Sequence, residues 1–357
     1  MILWSAVASA SIVRAEDSSL NLRTHQYEYS QVTRNQVEKY LKTQRANSLP
    51  ITIGQDLSNN LSGLDLSGLD FSDAQISGID FTDSKLDDAN FQNAFLEGAN
   101  FQRCSAMRSD FSDSSIALSN FSGAKLNKAK FKNAYAAQTI FEQADLSEAL
   151  LIEADFSKAN FSNALFIKSI LKSSTFIGSE IKNTQFDKAN LNFAILNGAN
   201  LGGSTFHSSV LKNAVFDNAK ANNIVMDDVV IFGLSAQHAI FRGAKLTNVY
   251  AEAVDFRYAY LSEAQLIRSI FNDSLLNFAN FTASKIKLCD FTRADFTSAN
   301  LNDAKISSSS FHNSKFNKAS LARVSTDNSF FKGANFTEAN LANHQSVNDN
   351  FEGAIGN

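Results

Sequence analysis

The sequence predicts an all-β fold, a solenoid with four sides per coil, preceded by a short capping helix at the amino-terminal end. Three observations lead to this prediction. Counting in fives from Leu61 to Phe351, a large apolar residue occupies 52 of 59 positions, and 26 of the 59 are Phe. Ala or Ser stands two positions before most of them. The register of five never shifts, and the chain has only one proline, which together indicate a continuous repeat without a hinge.

A period of five matches neither an α-helix, which repeats near 3.6 residues, nor a strand, which repeats at two. It matches a chain that turns a corner after each five-residue unit and points two side chains inward. Four units then close a square coil, so residues 20 positions apart lie one above the other. Stacked coils pair through their backbones at a spacing of about 4.8 Å. Because the interior is narrow, each unit holds one large and one small inward side chain.

Several units carry a recognisable signature, among them Ala89-Asn-Phe-Gln-Asn, Ala144-Asp-Leu-Ser-Glu and Ala199-Asn-Leu-Gly-Gly. They resemble the pentapeptide-repeat proteins, whose consensus is A(D/N)LXX, and the resemblance covers about residues 59–355. It implies a right-handed quadrilateral β-helix. It implies no single function, because members of that family are diverse.

The amino-terminal residues predict two segments before the repeat domain at 59–357. Residues 1–15 are mostly apolar and end just before Glu16 and Asp17, which resembles a signal peptide, although a basic start is missing. The alternative is a short apolar segment that packs against the solenoid. We therefore expect export to a periplasmic, luminal or secreted location, with a cytoplasmic location as the alternative. Residues 16–58 form the second segment.

A helix is predicted at about residues 34–45. Thr33 and Gln36 have the spacing of a capping box, and apolar residues follow at helical spacing up to Leu41. Pro50 marks the end of the helical region. Its expected role is to cover the open first coil, since solenoid ends need a cap. Residues 51–53 are expected to form the first strand.

Two regions depart from the repeat. Over 219–256, Ala takes the central position at Ala221, Ala236 and Ala251 while larger residues take the small position, which predicts a local bulge or a changed turn without a break. In the last coil, His344 and Asp349 replace small inward residues, which predicts a frayed and hydrated end.

The sequence offers no catalytic, cofactor-binding or metal-binding constellation, and we predict that the protein is not an enzyme and needs no cofactor. No two of the five histidines have the spacing of metal ligands. Cys104 and Cys289 occupy small inward positions many coils apart, too far for a disulfide. The formal net charge is −4, and the Lys and Arg residues form no basic cluster, so nucleic acid is not an expected partner. No stretch predicts a membrane span.

Function is therefore expected on the outer surface, where columns of residues 20 positions apart can be read. One column between about 150 and 270 is mostly apolar, and two further apolar residues stand beside it on the same face. We call this set the apolar wall: Leu150, Ile152, Ile170, Val210, Val230, Phe232, Tyr250 and Ile270. It predicts a surface for a protein partner or for self-association. The alternative is that β-forming residues simply suit a strand.

A second outward column repeats asparagine, at Asn100, Asn120, Asn160 and Asn200. Stacked amides can hydrogen-bond to one another along a column, so we expect a structural amide ladder here.

These observations predict a non-enzymatic scaffold for protein interaction or structure. The alternative comes from the resemblance, because some pentapeptide-repeat proteins imitate B-form DNA and modulate DNA gyrase. Such mimicry needs columns of acids in place of phosphates. The columns here are mixed, as in the series Asp65, Lys85, Ser105, Lys125 and Asp145.

Overall fold

The computed structural model describes residues 32–54 and 57–356. The predicted signal peptide at 1–15 lies outside the described residues. The described chain contains one α-helix, α1 (Arg34–Ala46), and eight short β-strands. The strands are Thr205–His207 (β1), Val225–Asp227 (β2), Lys245–Thr247 (β3), Gln265–Ile267 (β4), Lys285–Lys287 (β5), Lys305–Ser307 (β6), Ser325–Asp327 (β7) and Gln345–Val347 (β8).

The strands form one parallel sheet in sequence order, β1 to β8, and each residue pairs with the residue 20 positions later, as Phe206 does with Met226. Isolated parallel bridges continue this register outside the strands. Four columns of bridges begin with Asn60↔Asp80, Asp65↔Lys85, Asp70↔Asn90 and Gln75↔Phe95, and the last bridge joins Asn335 to Ile355. Four columns at this spacing confirm a four-sided coil of 20 residues and the predicted all-β solenoid.

The interior is filled by the residues that the repeat places there. The central side chains are fully buried over most of the chain, and the small residues two positions earlier are buried beside them. Phenylalanines one coil apart stack face to face, as do Phe71 and Phe91 with centroids 5.0 Å apart. Each corner turns through a residue in the left-handed region, such as Asn93 at a φ of 57°. Asn and Asp tolerate that conformation better than bulky residues do.

The register is unbroken through 219–256, as predicted, but the change in local geometry is confined to one face and extends over 205–347. On that face three residues per coil, rather than one, keep strand geometry. The turn amides there bond differently. Those of Val249 and Cys289 donate to the hydroxyl groups of Ser269 and Ser309 one coil further on, at 3.0 and 3.1 Å.

Helix α1 caps the first coil. Thr33 and Gln36 form the predicted capping box, and Val37 and Leu41 are buried in the same apolar core as the repeat. The guanidinium of Arg34 donates to the carbonyl oxygen of Asp65 at 2.8 Å. The helix therefore covers the coil end with apolar side chains and also supplies donors to its carbonyls.

The predicted first strand at residues 51–53 is wrong. This segment has no strand geometry. It makes one ladder-like hydrogen bond, from the amide of Gln75 to the carbonyl of Ile51 at 2.8 Å. Ile51 and Ile53 are both buried, so the alternating apolar residues that predicted a strand serve to seal the first coil instead.

The predicted amide ladder is also wrong. The side-chain oxygens of the asparagines accept from the backbone amide two residues later in their own coil, as Asn120 does from Ser122 at 2.9 Å and Asn160 does from Ser162 at 3.0 Å. Asparagine recurs here because it closes each turn locally.

The last coil is largely exposed but keeps the parallel register through β8, and its inward polar groups bond to one another. Asp349 accepts from the hydroxyl of Ser346 and from the backbone amide of Ser329, both at 2.7 Å. The Nε2 atom of His344 lies 3.2 Å from the hydroxyl of Thr326. Partial burial lowers the pKa of His344, and the nearby charge of Asp349 opposes that effect.

Candidate interaction surface

The structure places the column of the apolar wall as the repeat predicts. Parallel bridges join Leu150 to Ile170, Val210 to Val230, Val230 to Tyr250 and Tyr250 to Ile270. The wall has two parts, because Asn190 interrupts the column between Ile170 and Val210. Leu150, Ile152 and Ile170 form one part. Val210, Val230, Phe232, Tyr250 and Ile270 form the other. Ile152 is four coils from Phe232, about 19 Å at the sheet spacing, so these two side chains belong to separate patches.

The second part contains the most exposed rings of the wall. Tyr250 exposes 52% of its surface and Phe232 exposes 44%, while Val210 and Val230 beside them are half-buried. Phe232, Tyr250 and Val230 line a shallow depression of about 370 Å³. Lys212 and Glu252 complete its rim. Among the described residues, neither of these two charged side chains has an ion-pair partner within 4.0 Å.

Sequence reasoning missed a second exposed apolar feature, a stack of rings on one corner of the solenoid that we call the corner ladder: His238, Tyr258 and Phe278. Their ring centroids are 4.8 Å apart at each step, and the planes differ by 6° and 2°. All three have a left-handed backbone, with φ between 58° and 61°. The signal in the sequence was three ring residues at intervals of 20, at a corner position where Gly and Asn are usual.

The corner ladder lies on a different part of the coil from the apolar wall. Its exposed neighbours are Tyr260 and Leu275, which belong to other bridge columns than Val230 and Tyr250. The corner ladder and the second part of the apolar wall are therefore separate surfaces. This arrangement supplies control positions of similar exposure for tests of either surface.

The described part of the chain has no cluster of three or more His, Cys, Asp or Glu side chains that could hold a metal ion. The two cysteines are free and buried, as the sequence predicts. Burial raises the pKa of Cys289 to about 11 and raises the pKa of Cys104 further, which makes both thiols poor nucleophiles. Within these residues, no helix has the length and apolar character required to cross a bilayer.

The fold and its surface define a β-solenoid whose interior is packed and whose outer faces carry the features available for binding. The family model for pentapeptide repeats (8 copies) matches a series of segments between residues 118 and 345, and the model for a pentapeptide repeat region matches residues 60–131. The chain belongs to the pentapeptide-repeat family.

Several solved structures align with the chain over the repeat. HetL, involved in heterocyst differentiation regulation in the cyanobacterium Nostoc sp. strain PCC 7120, is 21% identical, with 72% of this chain and 90% of HetL covered and a TM-score of 0.21. A pentapeptide repeat protein from the Arabidopsis thaliana thylakoid lumen is 27% identical, with coverages of 36% and 68% and a TM-score of 0.20. Full-length QnrB1, a plasmid-mediated fluoroquinolone resistance protein, is 15% identical, with coverages of 55% and 91% and a TM-score of 0.25.

These superpositions are too poor to carry an argument about function. No curated protein matches the sequence significantly.

Proposed function

We propose that this protein is a non-enzymatic interaction scaffold and that its apolar wall is the surface that binds a protein, either a different protein or another copy of itself. The observation that carries the proposal is the depression between Phe232 and Tyr250, where two half-exposed rings flank Val230 on an otherwise regular face. Aromatic rings at the centre of a patch, surrounded by polar residues, are typical of residues that dominate binding energy.

The apolar area available at the depression is sufficient to matter energetically. A Tyr or Phe side chain has roughly 150–250 Å² to bury, and about half of that is still accessible at Tyr250 and Phe232. At about 25 cal/mol per Å², covering each ring contributes on the order of 2 kcal/mol. Lys212 and Glu252 at the rim supply charges that can select a partner.

The alternative function, DNA mimicry toward DNA gyrase, has no observation in its favour. Mimicry needs uncompensated acid columns, but four corner aspartates here, Asp83, Asp88, Asp273 and Asp303, are paired with arginines one coil further on. Asp83 accepts from Arg103 at 2.8 and 2.7 Å, and Asp88 accepts from Arg108 at 2.7 and 2.6 Å. The guanidinium of Arg108 also holds the pKa of Asp88 below its ordinary value. Such pairs cancel the charge that an imitation of phosphate would require.

The test is a double substitution, Val230→Lys with Tyr250→Lys, which places two charges in the depression. The fold should survive because both side chains point outward, and association should be lost because charges resist desolvation. The matched control is Val215→Lys with Tyr260→Lys on other bridge columns, with one half-buried Val and one exposed Tyr.

The readouts are circular dichroism for the fold, mass by light scattering for self-association, and co-purification for other partners. Loss of association in the wall variant with retention in the control supports the proposal. Equal association in the wall variant and the unchanged protein contradicts it, as does loss of association in the control variant alone.

A further inference from the structure

We infer that the occupant of the apolar wall is a second copy of this chain, docked antiparallel about a twofold axis that passes through Phe232. This inference rests on the proposed function, because it names the partner for the same surface. It starts from the sequence of charges along the outward column that contains Phe232.

In that column, charged and polar residues stand at equal distances on the two sides of Phe232. One coil before it stands Lys212 and one coil after it stands Glu252, and both are exposed. Two coils away on either side stand Asn192 and Asn272. The column therefore places opposite charges at equal distances, about 5 Å, on the two sides of a central ring. A surface with this pattern is complementary to itself in reverse order.

A twofold axis lying in the plane of the contact and running parallel to the strands reverses the order of the coils and keeps each column against itself. Lys212 then faces Glu252 of the second copy, and Glu252 faces Lys212 of the second copy. Phe232 meets Phe232, and the asparagines at 192 and 272 face each other. A twofold interface of this kind makes every pair twice, so the pair between Lys212 and Glu252 occurs two times.

The neighbouring column fits the same operation. Val230, which lies beside Phe232, meets its own copy, and Val210 faces Tyr250 of the second copy. Four apolar residues of the second part of the wall, Val210, Val230, Phe232 and Tyr250, thus cover one another, while Ile270 faces Asn190 of the second copy. The four charges form a rim around them.

The parallel arrangement is disfavoured by the same charges. It would place Lys212 against Lys212 and Glu252 against Glu252, and like charges at an interface cost free energy. The charges therefore favour antiparallel docking of the two copies over parallel docking.

The complementarity also has a limit, which sets the size of the contact. Along the column, the twofold operation places Asp290, two coils beyond Tyr250, opposite Ile170 of the second copy, which is an unfavourable pair. Across the face, it places Asp228, at the corner before Val230, opposite Asp228 of the second copy. The matched region thus spans about five coils, about 20 Å along the axis. A contact of this size belongs with small and transient interfaces, so a dissociation constant on the order of micromolar or weaker is expected.

The test reverses the two charges separately and together in the full-length protein, with dimerisation followed by sedimentation equilibrium. Lys212→Glu alone, or Glu252→Lys alone, turns two attractive pairs into two repulsive ones and should weaken the dimer about tenfold. The double variant Lys212→Glu with Glu252→Lys should recover the affinity of the unchanged protein. An equimolar mixture of the two single variants should form a mixed dimer, because its four charges pair correctly.

A second variant tests the position of the axis. Phe232→Cys should form a disulfide with its own copy on mild oxidation, since residues on a twofold axis approach each other. Phe278→Cys, on the corner ladder and similarly exposed, is the matched control and should not. The native thiols are buried and do not compete.

The inference is overturned if the unchanged protein stays monomeric at a protein concentration about a hundredfold above the micromolar dissociation constant expected for such an interface. Single charge reversals that leave dimerisation unchanged overturn it as well. It is also overturned if Phe278→Cys crosslinks as readily as Phe232→Cys. The proposed function fails separately, when the double lysine substitution at 230 and 250 abolishes neither self-association nor binding of any other protein.

Discussion

The rings of Phe91 and Phe111 lie one coil apart in the core, with centroids 4.8 Å apart and planes within 2° of parallel. Neither ring is accessible to solvent. The spacing equals the distance between paired strands, because the backbone ladder sets the separation of the coils and the rings follow it. The stacking of one aromatic column is thus a direct consequence of a repeat length of five.

The first prediction concerns that column. Phe91→Ala should lower the free energy of unfolding of the surrounding coils by about 3–5 kcal/mol, since it removes a stacked ring and leaves a cavity. Phe91→Leu should cost much less, because Leu occupies the same column at Leu151 and Leu171. Denaturant unfolding followed by circular dichroism measures both. Equal losses for the two variants would contradict the packing described here.

The features set by the repeat and the capping box of Thr33 and Gln36 could be predicted from the sequence, while the bonding within the coils' turns could not. The inward positions and the column from Val210 to Ile270 follow from counting in fives and twenties. The prediction of a strand at residues 51–53 was wrong because alternating apolar residues occur both in strands and in segments that seal the end of a coil. The strand geometry confined to one face after Thr205 comes with a different bonding of some turn amides, such as that of Val249 to the hydroxyl of Ser269, and the repeat pattern does not indicate it.

The second prediction concerns the cap. The guanidinium of Arg45 donates to the carbonyl oxygens of Asp70 and Ser72 at 3.2 and 3.0 Å. Arg45→Met keeps the aliphatic stem and removes the donors, so the first coil should open more readily, by about 1 kcal/mol or roughly fivefold faster amide exchange. Lys42→Met is the control, because Lys42 pairs with Glu38 within the helix. Equal exchange rates in the two variants would show that the arginine is dispensable.

The third prediction concerns the corner ladder. Tyr258 has a φ of 61°, where a side chain is strained, and stacking on both neighbours offsets that strain. Tyr258→Ala and Tyr258→Gly both lose the stacking, but only Gly relieves the strain. The Gly variant should therefore be more stable by about 1 kcal/mol.

At Tyr260, which lies in a bridge column rather than at a corner, the order should reverse, because Gly costs about 0.5–1 kcal/mol relative to Ala in extended backbone. Thermal unfolding of the four variants provides the comparison. The same order at both positions would remove the case for strain at Tyr258.

The fourth prediction concerns pH. The folded pKa of His344 lies below its ordinary value of 6.5 because burial disfavours the imidazolium. The folded state therefore binds fewer protons than the unfolded state as pH falls through 6.5, and the last coil should lose stability in that direction. Exchange of the amide of Gln345, bonded to the carbonyl of Val324 at 2.9 Å, reports this opening.

After correction for intrinsic exchange, protection should fall between about pH 7.5 and pH 5.5 in the unchanged protein and change little in His344→Gln. A similar loss of protection in His344→Gln would assign the effect to other groups.

The most direct measurement for the central claim is hydroxyl-radical labelling of the unchanged protein under dilute and associating conditions. The two surfaces carry rings of similar exposure: 44% and 52% for Phe232 and Tyr250, against 51% and 50% for Phe278 and Tyr260. We expect association to protect Phe232 and Tyr250 while Phe278 and Tyr260 are labelled as before. Protection of Phe278 and Tyr260 with unchanged labelling of Phe232 and Tyr250 would contradict the account and assign binding to the corner ladder.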